Sequence, residues 1–183
     1  GINSLEILLH CLKSVKENDA YWQWIFISLH SAVQAYMVLA LTRSNSLMTY
    51  KEKDMQSWMK SYENNDPLPE CKLDFFDELY KKTKTSSFVF YTNTQVFVPS
   101  PRQDENISKL SKLRNDFIHF SSDSLNLIIG DSSLQLVSDC LDYIEFLAFQ
   151  SNNIVWFEKH YKDETQRLLF ECRSVINSMT EEM

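Results

Sequence analysis

The sequence predicts a mainly α-helical protein, an up-and-down bundle with one small β-hairpin or short strand pair, folded as a single domain over residues 1–183. Three observations carry that expectation. Apolar residues recur at helical spacing through most of the chain. Only two glycines and four prolines occur in 183 residues, whereas an average composition brings about 7% Gly alone, so long elements outweigh loops. The length suits one domain, able to bury about 70% of its unfolded surface without a disulfide or a metal. The same glycine poverty excludes whole function classes. Gly130 is the only glycine inside the chain, and a Walker loop, a dinucleotide fingerprint or a nucleophile elbow each needs several.

Taken in order, residues 4–16 read as an amphipathic helix with a Ser start and a Lys near its end. Asp19 then opens the longest helix, over about 20–43, apolar nearly all round and so expected at the centre of the bundle. Its length also suits a bilayer span, but Gln23, Ser28, His30, Ser31 and Gln34 are spread through it, and no membrane association is expected. Residues 50–63 and 70–83 form two further amphipathic helices around the turn-rich NNDPLPE. The β-branched and aromatic run 88–99 is the hairpin candidate. Pro99 and Pro101 break the chain before a helix at 104–120 capped by Asp104. A short strand at 125–129, a helix from Ser132 or Ser133 to about 150, and a last helix over 153–178 complete the chain.

Charge discriminates less than its total suggests. The net charge is −7, and all of the imbalance lies after residue 120. The middle third, with Lys81, Lys82, Lys84, Arg102, Lys109, Lys112 and Arg114, is able to present a basic surface. The four cysteines have spacings that suit no zinc site, and neither His10 nor His160 has a ligand-spaced partner. Neither a metal nor a cofactor is expected. With no signal peptide, the cysteines read as reduced thiols of a cytoplasmic protein.

The stretch KLSKLRNDFIHF (109–120) carries the chemistry. On a helical wheel Ile107, Leu110, Leu113, Phe117, Ile118 and Phe120 form one apolar face. Ser108, Ser111, Lys112, Asn115 and His119 form a polar stripe. Arg114 falls about 40° from the centre of the apolar face. A guanidinium directed at a core must be paired and hydrogen-bonded. Its long side chain is able to swing toward Asn115 and His119, which face each other at i, i+4. Arg, Asn and His together supply a fixed cation, an orienting amide and a group that titrates near neutrality, which phosphodiester chemistry needs when no metal takes part. On the long helix, Gln23, His30 and Gln34 share a narrow polar stripe, for which the motif helix is one natural partner and loop backbone another. Lys109 and Lys112, one turn before the motif, are placed either to guide a phosphate backbone or simply as a solvated face.

Arg114-Asn115-Asp116-Phe117-Ile118-His119 matches the R-N-x-x-x-H form of the HEPN superfamily motif. The order of elements also resembles HEPN proteins: a long apolar helix early, the motif helix after the middle, then closing helices. Trp22, Trp24, Leu29, His30, Ala32 and Gln34 resemble the W-x-W…L-H-x-A-x-Q segment of a bacterial HEPN-like group. The resemblance implies a HEPN-type bundle and a metal-independent endoribonuclease of the kind found in toxin–antitoxin and defence systems. In it His119 is general acid or base, Arg114 stabilises charge on the scissile phosphate, and Asn115 orients the His or a phosphate oxygen. His30, Gln34, Lys109 and Lys112 would bind substrate or support the site. It further implies a homodimer or a separate partner protein such as an antitoxin, RNA rather than DNA as ligand, and, as the alternative, a catalytically inactive RNA-binding or dimerisation module.

Overall fold

A computed structural model describes residues 1–42, 46–91, 93–119 and 131–181. Its seven α-helices are α1 (Ile2–Ser14), α2 (Tyr21–Leu41), α3 (Glu52–Asn64), α4 (Phe76–Thr83), α5 (Pro101–Ile118), α6 (Asp131–Glu145) and α7 (Lys159–Glu181). They form a helical bundle built around α2, which packs against α1, α4, α5 and α6, while α7 closes the bundle against α1 and α6. The residues of α2 at 0% exposure, including Ile25, Phe26, Leu29, Val33 and Met37, point in several directions around the helix, as an all-round apolar pattern requires. The helix is long and apolar enough to cross a membrane, and 61% of its most apolar stretch lies inside the bundle. At 23 residues α7, not α2, is the longest helix.

Buried polar pairs tie the layers together. Tyr36 on α2 meets Thr165 on α7 through their hydroxyls at 2.7 Å, and Tyr143 on α6 meets Thr83 at the end of α4 at the same distance. The fully buried Asp139 carboxylate on α6 accepts from Arg102 Nε and Nη2 at 3.1 and 3.0 Å, from Asn106 at 2.6 Å and from Gln135 at 3.3 Å. A charge without solvent needs that degree of satisfaction, and two of the three donor residues sit on α5, so the ion anchors α5 to α6.

Several boundaries move for identifiable reasons. Helix α5 begins at Pro101 because Ser100 and Gln103 form a reciprocal capping box, at 3.2 and 3.0 Å. Pro101 sits at the first helical position, where its missing N–H costs nothing. Asp104 is therefore not the cap, and instead accepts from Tyr80 and Lys84. Helix α4 starts at Phe76 rather than at 70, since Lys72 N–H donates to the Asp54 carboxylate and Asp74 N–H to Thr49 O, which holds 70–75 extended. Ser132 and Ser133 lie within α6 instead of capping it, α6 ends in a π-helical turn over Phe146–Gln150, and the stretch from 151 to 158 is not helical.

The described residues of 88–99 form no hairpin. Among the described residues the one β-type pairing is an isolated antiparallel bridge, Tyr50 to Leu73. The 88–99 segment satisfies its backbone piecemeal: Phe97 N–H donates to Thr83 O, Gln95 N–H to Ser151 O, and Asn153 Nδ2 to Phe88 O. Phe88 and Phe97 enter the core. With those partners in place no second strand is needed. The strand expected at 125–129 lies outside the described residues.

Helix α3 differs from all the others because it buries no residue. Its ends are held at the bundle by the Tyr50–Leu73 bridge and by Lys82, whose ammonium donates to Tyr50 O and to Asp74, both at 2.7 Å. Asn65 closes it in the left-handed conformation, φ 56°, which Asn tolerates well. Leu29→Ala should therefore lower the unfolding free energy by roughly 2–5 kcal/mol, as for other buried leucines. Met59→Ala on α3 should cost about 0.5 kcal/mol or less. Urea denaturation of the two variants checks this, and equal losses would show that α3 is part of the core.

Candidate functional site

Helices α2 and α5 meet in a register that can be read from three pairs. Phe26 and Phe117 stack at 5.8 Å with their planes 12° apart. One turn on, His30 and Arg114 line the same cleft, and one turn further Gln34 and Ser111 do so too. Position rises along α2 as it falls along α5, so the helices run antiparallel. The residues from each come at i, i+4 or i, i+3 spacing, on one face.

The cleft has a volume of about 420 Å³. Helix α5 supplies one wall with Ser111, Arg114 and Asn115, and α2 supplies the floor with His30 and Gln34. The opposite wall is the run Leu73–Asp77 leading into α4. Arg114 does swing out of the apolar face as its register demands. The guanidinium Nη1 donates to Asn115 Oδ1 at 2.9 Å, and no carboxylate forms an ion pair with it among the described residues. Ile107, Leu110 and Leu113 are buried beneath it. Ile118, expected in the core, is 39% exposed in the last turn of α5. Phe120 lies outside the described residues.

His30 is only 6% exposed and stacks on Phe76 at 4.3 Å, yet its ring nitrogens have no hydrogen-bond partner among the described residues. Burial first, and the charge of Arg114 second, lower its pKa from 6.5 to about 4. At neutral pH it is a neutral imidazole with one donor and one acceptor. Gln34, one turn along, adds a neutral amide. Gln23, third of the expected stripe, is not part of the cleft lining.

The other expected residues lie elsewhere. His119 follows the last turn of α5, its backbone N–H donating to Asn115 O at 3.0 Å, and its side chain is exposed and outside the cleft. It is the C-cap of α5, with non-helical backbone angles and about 7.5 Å of rise beyond Arg114, so it stands past the end of the wall that Ser111, Arg114 and Asn115 form. Lys109 and Lys112 are exposed and also outside it. Sequence reasoning missed the α4 wall entirely. The signal was there: Asp77 and Glu78 are the acidic first turn of a helix starting at Phe76, which leaves Asp74 and Phe75 as entry residues.

A larger hollow, about 570 Å³, lies between α6 and the end of α7, but its lining of Leu134, Ser138, Ile176, Asn177 and Thr180 with Gln135 and Glu181 offers no cation. Among the described residues no group of three or more His, Cys, Asp or Glu side chains comes together that could hold a metal ion, and the four cysteines are free. No family model matches the chain, and no curated protein or solved structure does either.

The depressed pKa of His30 makes stability pH-dependent with a definite sign. Between pH 6.5 and about 4 the unfolded state takes up a proton that the folded state refuses, so stability falls as pH drops through that window. The loss is on the order of 3 kcal/mol at the acid end. His30→Gln should lack this component, and comparison of urea midpoints at pH 7 and pH 4.5 for both proteins measures it. Parallel pH profiles would refute the assignment.

Proposed function

We propose that this chain is a HEPN-like RNA-binding protein and a metal-independent endoribonuclease, acting as a homodimer or with a partner chain. What carries the reading is Arg114: a guanidinium with no carboxylate partner among the described residues, aligned by Asn115 and open to a cleft. A cation bound to no internal anion is available to an external one, and bidentate contact with phosphate is what its geometry suits.

The reaction needs no bound water. The RNA 2′-OH attacks the neighbouring phosphorus, and a base removes its proton. The P–O5′ bond breaks as an acid protonates the leaving 5′-oxygen, giving a 2′,3′-cyclic phosphate and a 5′-OH. Arg114 stabilises the charge on the phosphate oxygens, and Asn115 holds the guanidinium in place. His119 is the acid or base. Because His119 is exposed and not part of the cleft lining of its own chain, the site is completed by His119 of a second copy, and the protein works in the cytoplasm on RNA and not on DNA, which lacks the 2′-OH. The same exposure favours a second reading, in which the chain binds RNA or a partner such as an antitoxin without cleaving.

Incubation with a mixed RNA in EDTA separates the two. Cleavage should fall by about 10²–10³-fold in Arg114→Ala and by about 10²–10⁴-fold in His119→Ala. Cleavage that survives both substitutions rules out the catalytic assignment. RNA binding that Arg114→Ala weakens, with no cleavage by the parent protein, establishes the binding module.

A further inference from the structure

The two walls of the cleft are chemically opposite. The α5 wall carries Arg114, Asn115 and Ser111, a cation flanked by neutral hydrogen-bonding groups. The α4 wall carries two carboxylates, which differ in availability. Asp74 is already held by Lys82 at 2.7 Å and by the Phe75 N–H at 3.0 Å. Asp77, exposed in the first turn of α4, makes no ion pair among the described residues. Between the walls lies the floor of His30 and Gln34, neutral side chains without hydrogen-bond partners among the described residues. At the mouth stands Phe75, 67% exposed, with Lys51 Nζ over its ring 4.0 Å from the centroid. One aromatic face is thus covered by a cation and the other is open to stack a planar ring.

A ligand that fits must be anionic at one end, donor-rich at the other and planar between them. A nucleotide has that polarity. We propose that the cleft is a single-nucleotide pocket, with the phosphate on Arg114 and Asn115 and the base stacked on Phe75 over His30 and Gln34, and that Asp77 makes it prefer a base bearing an exocyclic amino group over uracil. This rests on the RNA-binding reading and extends it to base choice. A carboxylate accepts a hydrogen bond from the amino group of cytosine, adenine or guanine. Uracil instead presents a single N–H between two carbonyl oxygens, which repel a carboxylate. His30 and Gln34 each donate and accept, so they hold any base and do not discriminate. Stacking on Phe75 is indifferent to base identity as well. The choice falls to Asp77.

Cytidine and uridine 5′-monophosphates are the critical probes because they are nearly isosteric. Titration of the full chain by isothermal calorimetry should give at least tenfold tighter binding of CMP than UMP. Asp77→Asn, whose amide both donates and accepts, should bring the two within about threefold. Phe75→Ala should weaken both nucleotides and leave inorganic phosphate unchanged, and Arg114→Ala should weaken all three. Both residues at the mouth are exposed, and thermal melts verify that each variant is folded. Ten-nucleotide oligo(C) and oligo(U) distinguish the sources: preference seen in both formats means that a free nucleotide suffices, and preference confined to the oligonucleotides means that the occupant is part of an RNA strand. Equal CMP and UMP affinity together with equal oligo(C) and oligo(U) affinity, or a preference that Asp77→Asn leaves intact, overturns the base-selective pocket. If RNA still binds in an Arg114-dependent way in that case, the broader reading stands. If neither phosphate, nucleotide nor RNA responds to Arg114→Ala, both fall.

Discussion

Helix α2 is apolar on nearly every side, and such a helix persists in water only when other elements cover it. Helices α1, α4, α5 and α6 each supply part of that cover, and most of the architecture follows from the requirement. The polar residues of α2 then have to be accommodated where they stand. Ser28 and Ser31 turn back on the helix, donating to Trp24 O at 2.7 Å and Ile27 O at 2.9 Å, the usual recourse of a serine inside a helix. His30 and Gln34 make no such bond to their own helix among the described residues, and both line the cleft instead. The cover is incomplete at that point, and the gap is the cleft.

Arg114 is the complementary case on α5. Helical register directs it toward the apolar side, and its aliphatic stem can follow that direction while the guanidinium turns to Asn115. Two helices thus place residues they cannot bury at the same level of the bundle. The positive charge helps keep His30 neutral, so the floor of the cleft offers hydrogen bonds without charge and the α5 wall offers charge. Asp139 shows the contrast: a fully buried ion that three side chains saturate, leaving it nothing to offer a ligand.

The part of the site built by α2 and α5 could be read in the sequence because periodicity alone defines it. The polar stripe of His30 and Gln34 and the displaced register of Arg114 are local properties, and the Phe26–Phe117 stack joins two apolar faces that the pattern exposes. The α4 wall depends on bonds between residues far apart in sequence, such as Lys72 N–H to Asp54 and Asp74 N–H to Thr49 O, and local propensity favoured a helix there instead. The missing hairpin has the same origin. The β-forming run 88–99 is real as composition, but its hydrogen bonds go to Thr83 and Ser151. His119 lies outside the cleft because α5 ends before it: it is the C-cap residue, one turn past Asn115, and periodicity alone does not fix where a helix stops.

Helix α3 is an excursion whose two ends are clamped together at the bundle by the Tyr50–Leu73 bridge and Lys82. Because the ends are already joined, the length between them costs little to change: doubling a loop adds only about 0.6 kcal/mol. The excursion is in effect a cassette, free to vary in length and sequence while the bundle stays as it is. Its return segment, however, runs directly through Leu73 and Phe75, which line the cleft. A molecule that seized α3 from outside would pull on that lip, so the helix that buries no residue is also tied to the entrance of the cleft.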